Sequence, residues 1–330
     1  MGGMKTLRFF LALAVGLGLV SGARGVAAQA GTVTAAAPQR VVLDTDIGDD
    51  IDDAFALGLL LQSPEVDLLG VSTAYGQTGL RARLVERYLR AVGRANVPVA
   101  AGVVGPDTDH FSQAAYARQM PERKYPDGVA LLLNQIRVHP GQVTVIAIGA
   151  LTNLKAALDR DPATFRKVNR VVLMGGSVYE GYEDHQTGQR GRPVSVEWNI
   201  RCDPAAARAV FDSGVPVFVM PLDSTQIHLS ADELRGVLAY GSPVTDQIAL
   251  LYQQWTGRKQ WNSPTLYDPV AVTYAIRPAL CPTTPLRLEV DAEGYTRPVE
   301  GKPNVQVCLK ADEPGFRAFL LGRLMAPIGK

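Results

Sequence analysis

The sequence predicts an α/β fold: a mainly parallel central sheet with helices on both faces, Rossmann-like, ending in a late β-hairpin. Three observations predict it. Several short β-branched segments are apolar throughout instead of alternating, as strands covered on both faces are. Helical periodicity separates them. Polar residues gather where those segments end, which in such folds is a single crevice at the carboxyl edge of the sheet.

The elements follow in order along the chain. RVVLDTD, from Arg40 to Asp46, reads as a buried strand closing in acids, and an apolar helical run extends from Ala54 to Leu61. VDLLGVSTAY, from Val66 to Tyr75, is a second strand, followed by a helix whose apolar stripe is Leu80, Leu84, Tyr88 and Leu89. VPVAAG (97–102) is a third. VTVIAIG (143–149) is a fourth, with a helix beginning in LTNLKAAL behind it. RVVLMGG (170–176) and VPVFVMPLD (215–223) repeat the form, with the helix PAAARAVFDSG between them. LRLEVD (286–291) and NVQVCLKAD (304–312) read as the late hairpin, and SVEWNI (195–200) as strand-like.

Residues 1–30 are of a different kind. Lys5 and Arg8 precede FFLALAVGLGLV, an uncharged run from Phe9 to Val20, and Ala28-Gln29-Ala30 is an A-x-A cleavage site. Twelve apolar residues are too few for an anchored span but suit the middle of a secretory signal. The organisation expected is a signal peptide over 1–30, a short tether over 31–37 and one domain over 38–330, exported in the periplasm or the medium with no membrane anchor after processing. In the 330-residue chain, 47% hydrophobic and 20% charged residues exclude disorder for most of the length. Lys+Arg 33 against Asp+Glu 32, with no basic block, gives nucleic acid no electrostatic footing as a partner. Cys202, Cys281 and Cys308 have no C-x-x-C spacing, which argues against a zinc cluster. In an oxidising compartment Cys281 and Cys308 have the option of pairing; otherwise they are simply buried.

The acidic segment Asp44–Asp53 holds six carboxylates in ten residues. A helix cap explains one or two acids, not six beside a buried strand. Their repulsion in a crevice calls for a cation, and an all-oxygen set without His or Cys suits Ca²⁺ or Mg²⁺. Asp52 and Asp53 also open a helix, where its dipole favours anions. Asp268, before another apolar run, and Thr152, after the fourth strand, are either helix starts or further ligands. Glu197 and Asn199, on one face of a strand-like segment, have the chemistry to bind vicinal hydroxyls.

Taken together, DTDIGDDIDDAFAL, AIGALTNLKAAL, VVLMGG, EWNIRCDPAAA and YDPVAV, in this order between Val41 and about Leu309, resemble the inosine–uridine-preferring nucleoside hydrolase family. The resemblance implies a Ca²⁺-dependent enzyme of that family's α/β type that cuts the N-glycosidic bond of ribonucleosides with water, by direct displacement. It implies that Asp46 binds Ca²⁺ and accepts the proton of the attacking water. Asp53, Asp268 and the Thr152 carbonyl would complete the metal site. Asp52, Gln77, Met174, Glu197 and Asn199 would hold the sugar. It also implies a homo-oligomer and a role in nucleoside salvage.

The departures are specific. The simplest members place four residues between the two metal-binding ends of the acid motif; here Ile47 replaces a proline and two residues are added, so Asp49 or Asp50 is an alternative ligand. Gln77 stands for an asparagine. Tyr267 stands where many members have the histidine that protonates the leaving base, which leaves Tyr267, His228 and stacking on Trp255 or Trp261 as candidates for that task. The base pocket falls to the loops 178–194 and 225–265, which leave purine against pyrimidine open. Two other readings compete. One is an exported nucleoside- or ribose-binding protein without turnover. The other is a haloacid-dehalogenase-like phosphohydrolase with Asp44 as nucleophile, which lacks its expected Lys.

Overall fold

The computed structural model describes residues 37–106, 111–184, 187–257 and 263–326. The expected signal peptide, most of the tether, and Trp261 lie outside the described residues. The strands are β1 (Gln39–Thr45), β2 (Val66–Thr73), β3 (Val99–Ala101), β4 (Val143–Ile148), β5 (Arg170–Met174), β6 (Val217–Met220), β7 (Thr283–Val290), β8 (Thr296–Val299) and β9 (Val305–Cys308). They lie in the order β3-β2-β1-β4-β5-β6-β9-β7-β8. Every pair from β3 to β9 across that order is parallel, and β7 runs antiparallel to both β9 and β8. The chain leaves β1 toward one edge, through β2 and β3, then returns to the other side of β1 at β4. That reversal is a topological switch point, where the loops diverge and open a crevice.

Alternation along β1 shows why its residues are apolar throughout. Val41 and Leu43 enter one hydrophobic core and Val42 the other. The first core is covered by the helices Asp52–Leu61, Thr78–Ala91, Pro243–Thr256, Tyr267–Ile276 and Glu313–Leu324. The second is covered by Gly128–Val138, Thr152–Arg160 and Pro204–Phe211. The Asp52–Leu61 helix is buried along nearly its full length, so its lack of an amphipathic stripe reflects its position between other elements.

Two expectations are corrected. SVEWNI is not a strand: the Glu197 side chain accepts hydrogen bonds from the Asn199 and Ile200 amides and caps a short helix, Trp198–Cys202. The segment 225–265 is largely helical, with Ala231–Leu238 and Pro243–Thr256 each started by a serine capping box. The expected late antiparallel pairing is present between β7 and β9, with β8 added on the far side of β7. β7 pairs with β8, while β9 inserts between β6 and β7. At that end Thr283 is opposite Cys308, which brings Cys281 and Cys308 together as a disulfide with Cα atoms 5.6 Å apart. Among the described residues no helix is long and apolar enough to cross a membrane.

Candidate active site

The site grows from the end of β1. Asp44 shares the face of Val42 and is sealed beneath the crevice: its carboxylate accepts from the Ser72 hydroxyl and, at 2.7 Å, from the Asn153 amide. Asn153 is itself fully buried, and also donates to the Thr73 carbonyl and accepts from the Val103 amide. It thereby ties the ends of β1, β2 and β3 to the helix behind β4. Burial lifts Asp44 to about 6 despite those two donors. A carboxylate so enclosed is a girder, not a nucleophile.

Asp46 comes next, 7% exposed, against the turn after β4. A Cβ on Gly149 would lie 2.9 Å from its carboxyl carbon, so only glycine leaves room for it there. The chain then passes through Ile47 and Ile51, both fully buried, and enters the Asp52–Leu61 helix with Asp52 and Asp53 in its first turn. The Thr45 hydroxyl donates to Asp53, and the Asp268 amide donates to Asp52 Oδ2 at 3.2 Å. Asp268 arrives from the first turn of the Tyr267–Ile276 helix, 216 positions away in sequence. One carboxylate oxygen each from Asp52, Asp53 and Asp268 lies within 4.8 Å of the other two. Asp46 borders this trio closely enough for its charge to bear on all three.

All four acids are buried to 7% exposure or less. Burial first, and repulsion from the neighbouring acids Asp49 and Glu197 after it, pushes Asp46 up to about 7, with Arg81 opposing the rise. The same two causes hold Asp52, Asp53 and Asp268 well above the ordinary carboxylate range. Four converging buried carboxylates are a poor arrangement for a bare protein and a good one for a divalent cation with oxygen ligands. The donor set fits such an ion.

Around this centre the other expected residues fall as follows. Thr152 is half-buried at the start of the helix after β4, whose Ile148 pairs with Thr45. Met174 ends β5, and its carbonyl accepts from the Asn199 amide group at 3.1 Å. Glu197 is 2% exposed, takes hydrogen bonds from the Gly176, Asn199 and Ile200 amides, and is near enough to raise Asp46 further. Gln77 is exposed at the start of the Thr78–Ala91 helix. Asp50 is half-buried and its field reaches Asp52 and Asp268. Tyr267 packs edge-on against Tyr182 with ring centres 6.2 Å apart, and burial drives its phenol far above the usual range. His228 Nε2 meets Glu183 Oε1 at 2.5 Å, and Thr265 donates to the same oxygen at 3.1 Å. This bond raises the imidazole above its ordinary value. Trp255 is 1% exposed in the core, which removes it as a stacking surface.

Sequence reasoning missed Arg81, 1% exposed and in contact with the acid loop. A signal existed. Arg81 falls three residues before Leu84 and seven before Tyr88, on the apolar stripe of its helix, where an arginine needs a buried partner. It also missed that Asp223, in the short helix Leu222–Thr225 after β6, spends its carboxylate on the Val178, Tyr179 and Glu180 amides and so fixes the loop after β5.

A doubly wound parallel sheet with acids buried at its switch point defines an α/β enzyme with a cation-accepting crevice. Comparison with known proteins names the family. Residues 41–318 match the inosine-uridine preferring nucleoside hydrolase family, and the chain belongs to it, among the N-glycosyl hydrolases. It is 31% identical over 316 residues to the pyrimidine-specific ribonucleoside hydrolase RihA of Citrobacter koseri, covering 86% of this chain and 97% of that protein. The enzyme of the same name from Escherichia coli O1:K1 is 30% identical over the same shares. Among solved structures, a plant nucleoside hydrolase, PpNRh1, superposes with a TM-score of 0.73 at 24% identity, over 88% of this chain and 100% of that one. The purine-preferring ribonucleoside hydrolase from Gardnerella vaginalis gives 0.70 at 23% identity, over 87% and 98%. At these identities the two structures speak for the fold. The family assignment overturns the phosphohydrolase reading.

Proposed function

We propose that the chain is an exported, Ca²⁺-dependent ribonucleoside hydrolase that splits the N-glycosidic bond with water to give ribose and free base. The observation that carries this reading is the meeting of Asp46, Asp52, Asp53 and Asp268 from two distant parts of the chain in one buried crevice. Asp46, Asp53 and Asp268, with the Thr152 carbonyl, would hold the ion, and Asp52 would take a ribose hydroxyl. Ca²⁺, when bound there, supplies the positive charge that makes a water easier to deprotonate and anchors hydroxyl oxygens. Asp46 accepts the water's proton, a task for which a carboxylate lifted toward neutrality is suited. Glu197, Asn199 and Met174 border the sugar, and the surrounding negative charge stabilises an oxocarbenium-like ring as the base departs.

On the leaving side, Tyr267 keeps its proton across the neutral range and lies near Asp50 and Asp52, so it is the group with a hydrogen to offer the base. His228 is engaged by Glu183 and the Pro264 backbone, which suits it to hold that wall together. Export is supported by the Phe9–Val20 run with its A-x-A site and by the Cys281–Cys308 bridge, which belongs in an oxidising compartment.

The test is free-base release from a panel of uridine, cytidine, inosine and adenosine, with chelator and with Ca²⁺ restored. Uridine and cytidine come first because the relatives at 30–31% identity carry pyrimidine-specific names. Base released only in the presence of Ca²⁺ is the expected result. Binding of ribonucleosides with no base released favours the binding-protein reading, and release indifferent to chelator removes Ca²⁺.

A further inference from the structure

Asp49 lies in the loop between Asp46 and Asp52. We propose that Asp49 and Arg81 form a positioning pair that sets the backbone at Asp46 for catalysis. The inference rests on the hydrolase reading above. Arg81 donates through Nε to the Tyr75 carbonyl at 2.9 Å and through Nη1 to the Asp46 carbonyl and, at 3.1 Å, to the Ile47 carbonyl. Its Nη2 donates to Asp49 Oδ2 at 2.8 Å, and the guanidinium stacks over Phe111, 5.1 Å from the ring centre. One buried side chain thus joins the loop after β1 to the turn after β2. That turn is strained: Tyr75 has φ 61° and Gly76 φ 60°.

The rest of the loop is satisfied from the opposite side. The Ser112 hydroxyl and the Gln113 amide donate to the Gly48 carbonyl at 3.3 and 3.0 Å, Ser112 to Asp49 O at 2.9 Å, and the Gln113 side chain to Asp50 O at 2.5 Å. The Ile51 carbonyl accepts from the Ala54 amide at 3.0 Å. With Arg81 serving the first two, every carbonyl from Asp46 to Ile51 has a donor, so the loop is held along its whole length. Gly48, at φ 128° and packed on the Phe111 ring, admits no side chain. A guanidinium this enclosed needs a counter-ion, and Asp49, 16% exposed, is the carboxylate bonded to it. The hydrogen bond from Arg81 to Asp46 goes to its main-chain carbonyl, and the guanidinium charge also bears on the Asp46 carboxyl. Loss of the pair therefore acts on kcat and on the metal centre more than on KM.

The experiment compares the full chain with Asp49→Asn, Arg81→Gln and the double variant, using melting curves, calorimetric Ca²⁺ titration, and kcat and KM on the best ribonucleoside. Asp49→Asn is expected to fold as the parent does, to bind Ca²⁺ several-fold more weakly, and to lose about tenfold in kcat with KM little changed, since small misplacements of catalytic groups cost this much or more. Arg81→Gln should lose more, and the double variant no more than Arg81→Gln alone, because partners in one contact are not additive. Parent-like kcat and Ca²⁺ affinity in Asp49→Asn, or losses that simply add, overturn the proposal. Should Arg81→Gln fail to fold, Asp49→Asn decides by the same readouts. A parent chain that binds Ca²⁺ and releases no base sinks the hydrolase reading, while the ratio of Ca²⁺ affinities still judges the pair.

Discussion

Asp46 concentrates the chemistry at the scale of single residues. It sits against a glycine turn in the crevice, and burial lifts its carboxyl to about 7, with Arg81 opposing the rise and Asp49 and Glu197 adding to it. Asp46→Asn keeps the shape and removes the proton acceptor. Loss of about 10²–10⁴-fold in kcat is expected, the usual scale for a general base. The metal-free variant should melt no lower than the parent, because one repelling buried charge is gone; an active variant, or a clearly less stable one, contradicts the assignment. Asp46, Asp52, Asp53 and Asp268 were legible as polar residues at predicted strand and helix ends. Arg81 was legible only as an oddity on an apolar stripe, since its partners are main-chain carbonyls that no side-chain pattern announces.

Elements were read more reliably where burial dictated composition than where a side chain dictated conformation. The strands β1, β4, β5 and β6 are apolar because both faces are covered, and they stand out in the sequence for it. SVEWNI alternates like a strand, yet Glu197 turns back on its own backbone and starts a helix, a local hydrogen bond overriding the pattern. The antiparallel pairing of β7 with β9 was legible, but nothing local says that β9 inserts beside β6. There the Cys281–Cys308 bridge closes a separation of 27 residues between β9 and the turn before β7. Replacing both cysteines by serine is expected to cost on the order of 3 kcal/mol, by the loop-closure relation. Denaturant unfolding of the oxidised parent and the double variant measures it, and equal midpoints would show that the bridge adds nothing.

Over the whole molecule the crevice acids link folding, protons and metal. Burial raises Asp44 to about 6, Asp46 to about 7, and Asp52, Asp53 and Asp268 well above their ordinary range, so the metal-free native state binds more protons than the unfolded chain. Their stabilising contribution is full below about pH 4, the unfolded carboxylate range, and drains away as pH climbs through the folded values. Ca²⁺ requires the deprotonated forms, so the rise in melting temperature produced by Ca²⁺ over chelator should grow between about pH 5 and pH 8. Calorimetry at several pH values tests this, the difference cancelling surface carboxylates common to both samples; a Ca²⁺ effect independent of pH counts against the site. From the linear chain alone came the layered α/β architecture and the acidic character of the crevice, because both are written in local composition: period, apolarity and clustered charge. Which acids converge, how the longer loop is seated, and which cysteines meet were left to three-dimensional packing. Asp268 reaches Asp52 across 216 positions through the stacking of two buried helices, and such long-range contacts leave no mark in the neighbourhood of either residue.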